Sequence, residues 1–483
     1  MPLLLLIAAG VLGAGLLIYS ETLAFTGDEG FHLLAAQLIL DGKRPYLDFC
    51  FPQTPLNAYW NAAWMRVFGQ TWRVPHAVST VLVMAALVLA AHFAYTRLPE
   101  ARNWRMGAAL AVMLCIGLNP MVVEYGPLAQ AYAMCLFLLV AAFRLTIRST
   151  DSASAWPALG VGLCAGAAAA SSLLTATAAP VFLIWMLIYN RAGSRWLKGA
   201  AYFVGGAIPF LPVAWLLKQS PRVVIFNLFE YHLFFRKLYW ENATQHDLEV
   251  VASWIDSGQA LLLILLAAAG LLFIRFRSQW EVRLRGEFYL CAWLTAAMGL
   301  EMCTAHPTFP RYFLLMVPFV AIPAAVGLYF VAVSLYQPGR ALWPVAILAF
   351  LSVLGLGNSL YQRNNDVRTW GDHEKLAKKV DEVAPRNAPI FADEEVYFLT
   401  RRVPPPGLEF SYSHKLNLAP PLMAQLHIVT QAQLNKMAAA GKFAAAATCD
   451  DDAADEMELP SLYEHKTSIE DCAVYWGKVA VKK

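Results

Sequence analysis

Apolar residues in this chain run in long blocks rather than in the short alternations of a soluble fold. The blocks lie near residues 2–19, 75–96, 106–120, 127–147, 156–171, 173–190, 199–217, 258–274, 287–304, 312–335 and 341–360. Most approach the ~20 residues a helix needs to cross the ~30 Å hydrocarbon core of a bilayer. The pattern therefore predicts a polytopic α-helical membrane protein with about eleven transmembrane helices.

Two long segments separate the blocks, 20–74 and 218–257, and a polar tail covers 361–483. In the first segment Thr26-x-x-Glu29 has the spacing of a capping box. It opens a helix that runs to about Asp41, where Gly42 can form the terminal turn. Thr54 and Pro55 open a second helix, with Thr54 as cap and Pro55 as first helical residue. Leu56, Tyr59, Trp60, Ala63, Trp64, Val67 and Phe68 then recur at helical steps until Gly69. A Trp-rich apolar stripe outside a span belongs at the membrane interface. The second segment is aromatic, with Phe226, Phe229, Tyr231, Phe234, Phe235, Tyr239 and Trp240. The tail has strand-like runs at Ala388–Ala392, Gln425–Thr430 and Ala444–Thr448 and a helical stretch at Asp372–Val383. It predicts a small soluble α/β domain over 361–483, beside a membrane domain over 1–360, and is long enough to own a core.

Composition agrees with this reading. The chain is 58% hydrophobic and 15% charged, with a mean hydropathy of +0.48, where a soluble chain carries about 25% charged residues. A net charge of +3 without a dense basic cluster argues against a nucleic-acid partner. Lys and Arg set the orientation. With the N-terminus inside, the inner loops hold Arg97, Arg102, Arg105, Arg144, Arg148, Arg191, Arg195, Lys198, Arg275, Arg277, Arg283, Arg285 and Arg340. The longer outer segments hold fewer: Lys43, Arg44, Arg66, Arg73, Lys218, Arg222, Arg236, Lys237 and Arg311. The tail is then extracytoplasmic. Met1–Tyr19 has no preceding Lys or Arg and no small-x-small site after it, and is expected to remain as the first span. The eight cysteines show no CxxC or zinc spacing. Cys449 and Cys472 are the two in the tail and can pair in an oxidising compartment.

Candidate chemistry collects at the outer ends of the spans. Asp28 and Glu29 follow the first block directly, at the start of a helix whose dipole favours an ionised carboxylate. The competing reading makes both of them helix caps, and it is stronger for Glu29, which holds the box position. Glu124 is the sole charged residue between Met106 and Phe143, and a carboxylate at a membrane surface is often functional; the alternative is a solvated loop acid. Glu301, His306, Arg311 and Tyr312 surround another outer turn. Arg is a bidentate phosphate ligand, or else a snorkelling helix end. Lys43, Arg44, Arg236 and Lys237 add cations suited to an anionic lipid phosphate. Asp28 and Glu124 are the candidate ligands for a divalent metal ion. Asp450-Asp451-Asp452 lacks calcium-loop spacing, and Asn242-Ala243-Thr244 is a triplet common by chance. No Walker motif and no GxGxxG opening a helix after a strand points to a soluble nucleotide-sugar enzyme.

These residues resemble the GT-C glycosyltransferases, in particular the branch with protein O-mannosyltransferases and lipid A aminoarabinose transferases. The resemblance rests on Asp28-Glu29 after the first span, followed by Leu40-Asp41-Gly42-Lys43-Arg44-Pro45-Tyr46-Leu47-Asp48-Phe49 and Pro52-Gln53-Thr54-Pro55-Leu56. It extends to Phe68-Gly69-Gln70-Thr71-Trp72-Arg73-Val74, to the turn from His306 to Pro318, and to the many-span body with an extracytoplasmic tail. It implies an integral protein of a bacterial inner (plasma) membrane, acting on the outer side. The implied reaction is an inverting sugar transfer, with or without a metal, from a polyprenyl-phosphate donor to a lipid, glycan or protein acceptor. Carried over, Asp28 is the general base, Glu124 a second acid, and the nearby cations the ligands of the departing phosphate. A transporter or flippase for a lipid-linked anion and a non-catalytic lipid-phosphate binder remain as alternatives. A transporter would place charge at mid-span, whereas here the polar candidates sit at outer ends.

Overall fold

The computed structural model describes residues 2–236, 242–335, 342–364 and 368–478. Lys237, Tyr239, Trp240 and Arg340 lie outside the described residues. Each apolar block contains a helix: Leu3–Thr22, Arg73–Arg97, Arg102–Gly117, Tyr132–Asp151, Trp156–Ser171, Ala178–Ile188, Arg195–Ala207 with Leu211–Gln219, Gly258–Phe276, Val282–Thr304, Val317–Leu335 and Trp343–Asn364. Among the described residues, seven helical stretches are long and apolar enough to cross a membrane. Three of the remaining blocks form helices too short for that test. The fourth, Val282–Thr304, carries Arg283, Arg285 and Glu287 in its first turns.

The chain divides into two compact units. The first comprises Met1–Ser20, His76–Pro212 and Trp240–Asp366. Its helices expose Ile18, Val81, Trp196, Leu265, Leu300 and Phe350, side chains that match lipid tails rather than water. Small residues allow close helix approach within it. A Cβ on Gly270 or Gly327 would run into the Pro323 or Leu266 carbonyl of the facing helix. One cluster of opposite charges is buried inside this unit. Glu287, fully buried, accepts from Arg97 Nε at 2.6 Å and lies 3.7 Å from Arg283, which also pairs with Asp151.

The second unit comprises Glu21–Pro75, Val213–Tyr239 and Val367–Lys483. Its sheet has the order β1-β2-β4-β3, from β1 (Phe391–Ala392), β2 (Ala445–Thr448), β3 (Tyr463–Ile469) and β4 (Cys472–Lys478). β1 and β2 are parallel, with Phe391 opposite Ala446; β4 is antiparallel to both β2 and β3. Phe391, Phe443, Met457, Leu459 and Tyr475 fill a core on this sheet. Cys449, just past β2, is disulfide-bonded to Cys472 at the start of β4.

The structure corrects three local expectations. Gln425–Thr430 is not a strand but the turn between the helices Pro420–Gln425 and Gln431–Ala439, with His427 at φ 55°. Thr430 instead forms a capping box with Gln433. Thr26 makes no side-chain cap, so the expected Thr26–Glu29 box is not formed. The helix after Pro55 runs Leu56–Phe68 with no side-chain cap, and the Thr54 hydroxyl is buried without a hydrogen-bond partner among the described residues.

Candidate functional site

The Asp28 helix, Gly27–Leu40, reads Gly-Asp-Glu-Gly-Phe-His-Leu-Leu-Ala-Ala-Gln-Leu-Ile-Leu. After its first turn it is apolar apart from His32 and Gln37, which is close to the pattern of a buried helix. Leu33, Leu34, Ala36 and Leu38 are fully buried. Only the first turn carries acids, where unbonded amides and the dipole favour negative charge. The two acids then part. Asp28 is half-buried, while Glu29 is fully buried. Glu29 Oε2 accepts a hydrogen bond from Trp370 Nε1 at 3.1 Å.

Trp370 opens the helix Trp370–Val383 and is 2% exposed. Its indole stacks on Trp72 at 5.4 Å and 11°. Trp72 Nε1 and Arg73 Nη1 both donate to Glu374 Oε1, at 2.9 and 3.0 Å. The motif preceding the second span and the polar tail thus brace the same turn of the Asp28 helix. Glu395, from the helix Glu394–Thr400, lies against that turn as well. A Cβ on Gly30 would come 2.5 Å from Glu395 Cγ and 2.8 Å from its backbone nitrogen. Gly30 is therefore required by close approach.

Three successive acids, Asp393, Glu394 and Glu395, are packed at the start of that helix. Burial raises the Asp393 carboxyl to about 6, against the lowering effect of bonds from the Cys449 amide and Thr448 hydroxyl. Burial raises Glu394 to about 7 and Glu395 well above the usual carboxylate range. Groups with raised folded-state values keep their protons while the unfolded chain has already lost them. Their stabilisation is present below the ordinary value near 4.5 and is lost as pH rises through the folded values near 6 and 7. The melting temperature should therefore fall between pH 5 and pH 8. Glu394→Gln keeps an oxygen to accept from the Ser411 amide, now at 2.8 Å, and should flatten that fall in scanning fluorimetry. An unchanged pH slope in this variant would remove Glu394 from the account.

Aromatic side chains surround the body of the Asp28 helix. Phe31 stacks on Phe51 at 4.9 Å and meets Phe410 at 4.6 Å, and Tyr231 reaches Phe410 at 6.0 Å. Asn227 fixes this region by accepting from the Phe51 amide at 3.0 Å. Arg236 follows the aromatic π-helix Phe226–Phe235 in the same unit. Lys43 and Arg44 stand at the other end of the helix from Asp28. The Lys43 amide donates to the Leu38 carbonyl, and Asp28 to Leu38 is about 15 Å of helix axis. Lys43 lies 3.8 Å from buried Glu409, and Arg44 bonds both oxygens of Asp48 at 2.9 Å.

The other sequence candidates belong to the membrane-helix unit. Glu124, on the short helix Pro120–Tyr125, accepts from Ser359 Oγ at 2.9 Å. Glu301 accepts from the Thr177 amide at 3.2 Å. His306 Nδ1 lies 2.5 Å from Asp247, whose other oxygen accepts from the Thr308 amide at 2.7 Å. Arg311 sits over the Phe309 ring at 4.3 Å, and Tyr312 packs against the same ring. The same unit holds a partly open, mostly apolar pocket of about 200 Å³, with Leu262, Leu263, Leu351, Asn119, Gln259 and Ser352 among its lining. No charged side chain lines it.

Sequence reasoning did not find Trp370, Glu395 or Asp247. A weak signal for Glu395 exists, because three acids directly precede the apolar run Val396-Tyr397-Phe398-Leu399. Trp370 carries none, since its partner is 341 residues away.

No protein-family model matches the chain, and comparison with curated proteins finds no match. Solved structures do match. ArnT from Cupriavidus metallidurans bound to undecaprenyl phosphate superposes with a TM-score of 0.69 at 13% identity, over 98% of this chain and 97% of that one. The apo state of ArnT gives 0.68 at 14% identity, over 97% of each chain. The Archaeoglobus fulgidus oligosaccharyltransferase gives 0.52 at 13% identity, over 83% of this chain and 64% of its own length. The chain has the fold of the GT-C membrane glycosyltransferases.

Proposed function

We propose that this GT-C-fold chain is a glycosyltransferase that moves a sugar from a polyprenyl-phosphate donor to an extracytoplasmic hydroxyl. The observation that carries the reading is the Asp28 turn. A half-buried carboxylate starts a buried helix, and its neighbour Glu29 is turned inward onto Trp370. Asp28 takes the proton of the acceptor hydroxyl as that oxygen attacks the anomeric carbon. The bond from that carbon to the phosphate oxygen breaks, and polyprenyl phosphate leaves with the electron pair. A single displacement inverts the anomeric centre. Developing charge on the phosphate calls for cations, and Arg236, Arg311, His306 and Tyr312 are the residues assigned to it. Lys43 and Arg44, held by Glu409 and Asp48, take a structural part. The fold shared with ArnT, which has been seen with undecaprenyl phosphate, supports the donor class.

The orientation has support as well. The first long segment, residues 213–239 and the tail belong to one compact unit, which favours one side of the membrane for all three. The test is transfer of label from radiolabelled polyprenyl-phosphate sugars, offered singly to membranes containing the protein. At least one sugar should move to a product other than the donor. In the same assay Arg311→Ala should raise the donor KM roughly 10-fold or more, as expected for one charge-assisted hydrogen bond, with kcat little changed. An unaltered donor KM would take Arg311 out of the phosphate site.

A further inference from the structure

One buried group near the Asp28 turn has no part in the transfer chemistry. His373, one helical turn beyond Trp370, is 2% exposed, and neither of its ring nitrogens has a hydrogen-bond partner among the described residues. Buried polar atoms are seldom left unpaired. Phe25 stacks on the ring at 4.4 Å. The candidate ligand atoms of His373, Cys449 and Cys472 all lie within 4.8 Å of one another.

The two cysteines form a disulfide in this structure. Arg368 Nη1 stands 3.7 Å from Cys472 Sγ and donates to the Cys449 carbonyl at 3.2 Å. Two thiolates and one imidazole are soft and borderline ligands, the set preferred by zinc rather than by magnesium or calcium.

We propose that reduction of Cys449–Cys472 converts this pocket into a three-ligand site for a thiophilic divalent cation, Zn²⁺ above all. The ligands are the two sulfurs and His373, with water in the fourth position. The reductant is a dithiol. One of its thiolates attacks a sulfur of the pair, and its second thiol then resolves the mixed disulfide. Two electrons pass to the protein and the reductant leaves as its own disulfide. Binding of the cation releases the two thiol protons to solvent. Zn–S bonds of ~2.3 Å place the sulfurs ~3.8 Å apart. The Cα atoms of Cys449 and Cys472 stand 4.0 Å apart.

The test uses the full-length protein in detergent, reduced and metal-free, titrated with Co²⁺ and then with Zn²⁺. One equivalent of Co²⁺ should give near-ultraviolet thiolate charge-transfer bands and the visible bands of four-coordinate cobalt, bleached by one equivalent of Zn²⁺. The oxidised protein, with the same sequence and the same six other cysteines, should stay blank. His373→Ala should bind at least ~10-fold more weakly, the scale of losing support at a metal site. Spectra of reduced protein no stronger than those of a Cys449→Ser/Cys472→Ser variant would overturn the site. Unweakened binding by His373→Ala would overturn the ligand set.

Discussion

Asp28→Asn is expected to lower turnover by at least ~10²-fold, the lower range for loss of a general base, while the donor still binds. The substitution keeps shape and hydrogen-bonding atoms and removes only the ability to take a proton. Its structural cost is small, because a charge at a helix N-terminus contributes ~0.3–1 kcal/mol. Glu29 cannot take over. Its carboxylate is sealed from solvent and accepts from Trp370 at 3.1 Å. Glu29→Gln should accordingly hurt stability more than chemistry. Steady-state transfer rates for the two variants separate the roles. Turnover by Asp28→Asn within a few-fold of wild type would remove Asp28 as the base.

Gly30→Ala is expected to be the most damaging single-methyl change near the site. Two effects oppose each other. Replacing glycine by alanine inside a helix is worth ~1 kcal/mol in its favour. Against this, the new methyl would stand 2.8 Å from the backbone nitrogen of Glu395 and 2.5 Å from its Cγ. Overpacking of this kind costs about 1–3 kcal/mol. The backbone contact cannot be relieved by a side-chain rotation, so the clash wins. The variant should melt at lower temperature and lose transfer activity, because the Asp28 turn shifts with the helix. Adding Glu395→Ala removes the Cγ contact but leaves the backbone one, and should restore stability only in part. A Gly30→Ala protein as stable as wild type would mean that the turn is not held by this contact.

The apolar blocks were legible because their signal is long and local. Helices lie in all of them, and the ends at Gly42 and Gly69 were readable from glycine alone, both at positive φ. Capping was less legible. Thr26-x-x-Glu29 has the right spacing, yet Glu29 is fully buried and accepts from the Trp370 indole N–H. In the tail, β2 was readable because Ala445–Thr448 is uniformly buried. β3 was not, because Tyr-Glu-His-Lys-Thr-Ser-Ile is a mostly exposed edge strand with a polar sequence. Gln425–Thr430 misled by alternating in a turn. Asp28 could be singled out from the sequence, as an acid directly after the first span. Its surroundings could not, because Trp370, Glu374 and Glu395 reach Glu29, Trp72 and Gly30 across more than 300 residues of chain.

The central claim is that this protein breaks the sugar–phosphate bond of a lipid-linked donor using Asp28. The most direct measurement follows a radiolabelled sugar on polyprenyl phosphate in liposomes containing the purified protein and an acceptor. Label should leave the lipid for the acceptor in wild type and stay on the lipid in Asp28→Asn. Label that crosses the bilayer still attached to polyprenyl phosphate, equally in both proteins, would contradict it and identify a carrier.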